Sequence, residues 1–196
     1  MAISNIASGL RPGVCTSTTR PTTPFEGQMI YETDTDMVAL WNGSAWRYIA
    51  ATTPTSGTVL QVVTERYASQ KSTGSSTWQD TGLAVSITPK SSSSKILVFA
   101  SQAGIAKVTN NDAYVSLRLV RNTTSLIQFA ESSAYTNDTS TNRVGSDSVV
   151  YMDSPSTTSS VTYKTEFRSG GGIGTVYVQV NGSSSESTIC AMEIAG

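Results

Sequence analysis

The sequence predicts an all-β protein: an N-terminal extended arm and three-stranded meander, then a jelly-roll or sandwich of short strands. Apolar runs of four to ten residues recur about every dozen positions, separated by Gly, Pro, Asn and Ser clusters. Within several runs apolar and polar residues alternate with period two, as in Val161-Thr-Tyr-Lys-Thr-Glu-Phe-Arg168, where Val161, Tyr163, Thr165 and Phe167 share one face. About three residues in ten are Ser or Thr while only 14% are charged, so small β-compatible hydroxyls rather than charges keep the sheet surfaces soluble.

Residues 1–27 contain Arg11-Pro12-Gly13, Arg20-Pro21 and Pro24, spaced so that no helix or long strand persists. This is an extended arm. Its sparse apolar residues Ile3, Ile6, Leu10, Val14 and Phe25 are expected to lie along a groove in a partner. Residues 28–50 form a meander, with strands at Gln28–Glu32, Met37–Trp41 and Ala45–Ile49. Thr33-Asp34-Thr35-Asp36 makes the first turn, and Asn42-Gly43 supplies a type I′ turn for the second. Three short strands carrying Met29, Tyr31, Trp41 and Trp46 cannot close a core alone, so the meander is expected to dock on something larger.

Residues 51–57 are a breaker-rich linker, and 58–196 the second domain. Its strands are expected at Val59–Tyr67, Thr77–Asp80, Leu83–Thr88, Lys95–Ala106, Tyr114–Arg121, Ser125–Ala130, Ser148–Met152, Ser160–Arg168, Thr175–Val180 and Ser187–Ala195. Lys95-Ile-Leu-Val-Phe-Ala100 is apolar on both faces. So is the last strand, with Ile189 and Ala191 on one side and Cys190, Met192 and Ile194 on the other. A two-layer sandwich has one inner face per strand, so Leu97, Phe99, Cys190, Met192 and Ile194 are expected at a subunit interface.

Composition excludes several functions. A net charge of −1 gives no field to gather nucleic acid or an anionic membrane, and no run approaches the ~20 apolar residues of a membrane span. The chain has no histidine, which removes the commonest general base, Ser/His and Cys/His nucleophile pairs, and His-based metal sites. Paired carboxylates such as Glu131 with Asp147, or Asp153 with Glu166, leave a glycosidase formally open, but solvated surface charge is the simpler reading. Thr33-Asp34-Thr35-Asp36 lacks the glycine and distal glutamate of a calcium loop and reads as a capped turn. No cofactor is expected. Cys15 and Cys190, the only cysteines, lie at opposite ends of the sequence and read as reduced thiols. The longest polar loop, 130–147, holds Tyr135, Asn137, Asp138, Asn142 and Arg143, residue types that stack on and hydrogen-bond a sugar.

The pattern T-R-P-x-x-P-x-x-G-Q-x-I-Y-E-T-D-T-D followed by W-N-G-S-A-W, spanning residues 18–49, resembles a segment that recurs in tail-fibre and other virion structural proteins of tailed bacteriophages. The resemblance implies a particle component assembled in a bacterial cytoplasm and no reaction, with Ile3, Ile6, Leu10, Val14, Phe25, Met29, Tyr31, Trp41 and Trp46 anchoring it to other virion proteins. Residues 58–196 resemble the trimeric jelly rolls of the C1q and tumour-necrosis-factor type. The shared features are the order of elements, the Ile87-Thr88-Pro89 turn before Lys95-Ile-Leu-Val98, and a final apolar strand ending close to Gly196. That likeness implies a homotrimeric knob. Three readings follow: a trimeric capsid decoration or short head fibre on the virion surface, a tail-fibre or tail-tip adhesin binding a host surface saccharide, or a virion-associated glycan-degrading enzyme. A foot of about fifty residues joined directly to the knob favours a short projection.

Overall fold

The computed structural model describes residues 12–49, 54–108 and 112–196. Ile3, Ile6 and Leu10 of the expected arm, and residues 51–53 of the 51–57 linker, lie outside the described residues. The chain divides into two compact units, Met1–Thr53 and Pro54–Gly196, and no α-helix occurs among the described residues.

The first unit is a four-stranded sheet in the order β1 (Gly13–Cys15), β2 (Met29–Glu32), β3 (Met37–Trp41), β4 (Trp46–Tyr48). It has one strand more than the expected three. Gly13–Cys15, assigned to the arm, pairs parallel with β2, Val14 opposite Tyr31. Three residues are too few to show a period, so only the open edge of β2 explains why they pair. The Asn42-Gly43 turn also differs from expectation. Trp41 pairs with Trp46, leaving a four-residue loop in place of a two-residue type I′ turn. Asn42 Oδ1 accepts from the amides of Ser44 (3.1 Å) and Ala45 (2.8 Å), and this local capping outcompetes the tight hairpin.

The second unit is a two-layer sandwich. Its strands are β5 (Val59–Tyr67), β6 (Lys71–Thr73), β7 (Gln79–Ile87), β8 (Lys95–Val108), β9 (Tyr114–Arg121), β10 (Thr124–Ser133), β11 (Asn142–Asp153), β12 (Val161–Gly170), β13 (Thr175–Val178) and β14 (Ser187–Ile194). One sheet runs β10-β9-β12-β7; the other runs β5-β14-β8-β13-β6, with β11 on the free edge of β8. Counting β5, β7, β8, β9, β10, β11, β12 and β14 as strands one to eight, the sheets read 2-7-4-5 and 1-8-3-6. That is a jelly roll.

Alternation sets the core as expected: Val161, Tyr163, Thr165 and Phe167 are all buried, Val161 and Tyr163 among Leu83, Val85, Ile96, Val98, Ile189 and Ala191. The opposite residues of β12 are only partly open to water. The Arg118 and Arg168 guanidinium carbons lie 4.5 and 4.6 Å from the centre of the Trp78 ring, and Glu166 accepts from Arg118 at 2.8 and 2.6 Å. The expected strands Thr77–Asp80 and Leu83–Thr88 merge into β7. They are bent at Gly82 (φ +88°), where the ring of Tyr67 occupies the place of a Cβ. The strand expected at Ser148–Met152 begins six residues earlier. Its polar first half, Asn142–Asp147, is held by main-chain pairing along β8, which needs no apolar side chains.

Between two apolar clusters, one around Tyr163 and one around Phe167, a buried polar belt crosses the sandwich. Gln102 donates to Ser187 Oγ (2.9 Å) and accepts from Thr165 (2.8 Å), whose hydroxyl lies 2.6 Å from that of Thr81. All four residues are fully buried. Each group is satisfied inside the belt, which avoids the cost of burying an unpaired polar atom.

At Gly104 (φ +60°) β8 resets its alternation. Gln102 and Ile105, three residues apart, both face the interior. Beyond the reset, Lys107 is buried and donates to the main-chain oxygens of Thr136 (3.2 Å) and Asp138 (2.7 Å), while Ala106, also buried, lies on the opposite face of the sheet beside Tyr177.

Glu193, near the end of β14, is fully buried and accepts from the Lys90 amide (2.7 Å) and Gln61 Nε2 (2.6 Å), fastening the β7–β8 loop. Burial pushes its carboxyl upward, but the converging donors outweigh it and hold the pKa below the usual glutamate value. A depressed folded pKa gives stability that is present above the unfolded value of about 4.3 and is lost as pH falls through the folded value. Glu193→Gln is therefore expected to cost about 1–3 kcal/mol at pH 7. In denaturant titrations its difference from the wild type should shrink below about pH 4. A difference that stays constant down to pH 3 would remove Glu193 from this role.

Candidate functional site

The outer face of the β5-β14-β8-β11 sheet is where the sequence placed the subunit interface. Register aligns Val62, Met192, Leu97 and Met152 in one row across the four strands, and Thr64, Cys190, Phe99 and Val150 in the next. In the isolated chain Val62, Phe99, Val150 and Met152 are exposed, Val150 by 61%. Ile194 lies at the end of the same face, paired with Lys95 and, across a bulge, with the exposed Val59. The structure thus brings the five predicted residues Leu97, Phe99, Cys190, Met192 and Ile194 together on one face. It adds Val59, Val62, Val150 and Met152, which sequence reasoning missed. Alternation within β5 and β11 could have shown them, had those strands been assigned to the edges of this sheet.

A third row, Arg66, Thr188, Ser101 and Ser148, is polar, with Ser148 Oγ 3.1 Å from Ser101 Oγ and Arg66 paired to Glu186 at 3.1 Å. Between the second and third rows the surface is concave, a groove of about 760 Å³ with Phe99, Val150 and Cys190 along its apolar side. Burial pushes the Cys190 thiol upward, so it stays protonated and weakly nucleophilic. Both cysteines are free, and no cluster of three metal-ligating side chains occurs among the described residues.

The foot's anchor residues divide between two faces of its sheet. Trp41 and Trp46 pack edge to face, ring centres 5.5 Å apart, on the side of the buried Ile30 and Ala39. That side also holds the buried Glu32, which pairs with Arg20 and accepts from Tyr48 (2.9 Å) and Thr35 (3.1 Å). The bond from Arg20, with help from Tyr48 and Thr35, holds the Glu32 carboxyl low against the opposing effect of burial. Val14, Met29 and Tyr31 share the opposite side with Val38 and Leu40; Val14 and Met29 are exposed there, and Phe25 is exposed in the preceding loop. The Thr33–Asp36 turn is committed to the fold: Asp34 accepts from the Ser17 amide at 2.8 and 3.0 Å, and Asp36 from Tyr31.

The expected glycan loop is shorter than 130–147 and its residues separate. Tyr135 donates to Asp112 (2.8 Å) and packs edge to face with Tyr114, ring centres 6.4 Å apart. Asp138 accepts from the Ser140 amide (2.8 Å) and Thr136 (3.1 Å), both of which lower its pKa. Asn137 stands in the turn between them. Asn142 and Arg143 already belong to β11, where Asn142 pairs with Lys107 and Arg143 with Ala106. Arg143 is thereby carried to the outer sheet face, away from the Lys107 side on which the loop is fastened.

Fold and surface together define an all-β jelly-roll protein with a separate small sheet unit. No protein-family model and no curated protein sequence matches it. Among solved structures, the chain is similar to the infectious bursal disease virus VP2 subviral particle, at 16% identity and a TM-score of 0.41, covering 91% of this chain and 42% of that one. It is also similar to the structure of infectious bursal disease virus Gt strain, at 12% identity and a TM-score of 0.36, covering 81% and 44%. The chain spans less than half the length of either.

Proposed function

We propose that the protein is a non-enzymatic structural component of a tailed-phage virion, a trimeric capsid decoration or short head fibre. Its N-terminal arm and foot grip the particle and its knob projects. The observation that carries this reading is the pair of exposed apolar rows on the knob, a surface too greasy for a free monomer. The apolar side of the foot, with Val14, Met29, Val38 and Leu40, supports a second contact with other virion proteins. The segment resembling phage fibre proteins is the part that builds the foot, its Arg20, Glu32 and Asp34 being spent on the foot's own bonds.

Support for a passive role comes from three of the four carboxylates that the glycosidase reading would use. Asp153 is bound by Arg121 (2.9 and 2.7 Å) and Tyr163 (2.6 Å), Glu166 by Arg118 and Lys164, and Asp147 accepts from Ser133. None of these three is an unpaired acid or base. The partners in this reading are two further copies and virion proteins, without nucleic acid or membrane, and the location is the virion surface.

Electron microscopy of particles carrying a C-terminal label tests it. Label on the head supports decoration, label at the tail tip the adhesin reading, and absence of label from purified particles refutes both. Particles assembled with Met29→Asp and Val38→Asp are expected to lose at least about 90% of the protein, since two buried charges at a contact cost more than 1.4 kcal/mol. Undiminished occupancy would remove the foot face as the anchor.

A further inference from the structure

Among the five arginines of the second unit, Arg66, Arg118 and Arg121 are ion-paired and Arg168 lies on Trp78. Arg143 has no carboxylate partner among the described residues, and it lines a groove of about 240 Å³ with Gln70, Ala106, Val108, Tyr177 and Val180. Register explains the convergence. Ala106 pairs with Arg143 on one side and with Tyr177 on the other, so a small buried residue separates the two across the floor of the groove. The reset at Gly104 turns this row outward and puts Lys107 inside.

We propose that this groove binds one carboxylate-bearing sugar unit of an acidic surface polysaccharide. Arg143 supplies the planar fork that matches a carboxylate. Tyr177 offers an aromatic surface for a pyranose ring, and Gln70 both a donor and an acceptor for hydroxyls. Among the described residues no acidic side chain lines the groove to repel an anion. The volume lies below the ~300–1,000 Å³ of sites for drug-sized ligands, which restricts the occupant to about one sugar ring. Recognition of a longer polymer then comes from repetition across copies, each contact being weak by itself. The groove is distinct from the Tyr135–Asp138 loop, and the proposal stands whether the protein sits on a head or a tail.

Ligand-observed NMR titration of the full chain with sodium glucuronate, sodium galacturonate, neutral galactose and inorganic phosphate tests it. A uronate is expected to bind with Kd on the order of 1 mM. Galactose and phosphate should bind at least tenfold more weakly, and Arg143→Gln should lose at least tenfold while keeping the wild-type melting temperature. Tyr177→Ala should weaken the uronate without creating phosphate binding. No uronate binding to the wild type would overturn the proposal. So would galactose binding as tightly as uronate, phosphate binding as tightly as uronate, or unchanged affinity in Arg143→Gln.

Discussion

Gly104→Ala is expected to unfold the knob or lower its melting temperature by roughly 10–20 °C. Two costs add. Gly104 has φ +60°, where an L side chain costs about 1–3 kcal/mol. A Cβ there would lie 2.5 Å from the Val180 amide nitrogen and 2.7 Å from Ser185 Cβ. Forcing these apart costs about another 1–3 kcal/mol, because one of the obstacles is main chain that already donates to the Gly104 carbonyl at 3.0 Å. In a domain of this size each kcal/mol shifts the melting point by about 2–4 °C.

Two controls separate the terms. Gly57 has φ +88° with open space around it, so Gly57→Ala should show strain alone. Gly145 has open space and no positive φ, so Gly145→Ala should be nearly silent. Thermal and urea melts of the three variants give the order Gly104, Gly57, Gly145. A Gly104→Ala protein that melts within a degree or two of wild type would mean that β8 does not reset its faces there, and the placement of Ala106 on the face opposite Lys107 would lose its basis.

The reset also shows where the sequence was legible and where it was not. β5 and β9 are read with the bounds the structure has, and β12 and β14 to within two residues, because a strand with one face in the core writes its period into the side chains. The first half of β11 and the three-residue β1 and β6 were invisible, since edge pairing is made by main chain and leaves no apolar signature. Alternation put Thr165 on the inner face, but nothing in the sequence marked Gln102, Thr81 and Ser187 as its buried partners, and only the strand pairing brings the four together. A parity change at a single glycine separated Arg143 from the loop residues with which composition had grouped it. Fold class was local information. The composition of each face was not.

Under the proposed trimeric assembly, Phe99→Asp combined with Val150→Asp is expected to leave monomers in sedimentation velocity at about 10 μM where the wild type associates, an interface charge without a partner costing at least about 2 kcal/mol at each contact, or more than tenfold in affinity. These two residues are cross-strand neighbours in the middle of the apolar face, both exposed in the single chain, so the substitution relieves no core packing and should leave the melting transition of the monomer intact. Gln128→Asp, at an exposed position on the opposite sheet, serves as the control for a surface carboxylate placed elsewhere and should remain associated. The chain carries only 14% charged residues and uses many of them in internal ion pairs, so few remain to keep bare apolar rows soluble. Association through this face is the arrangement that hides Val62, Phe99, Val150 and Met152 at once, because the rows run across four strands and no described segment of the second unit covers them. A wild-type protein that stays monomeric and soluble at high concentration would show that water tolerates this face. The anchoring and display roles would then have to be carried by the foot alone.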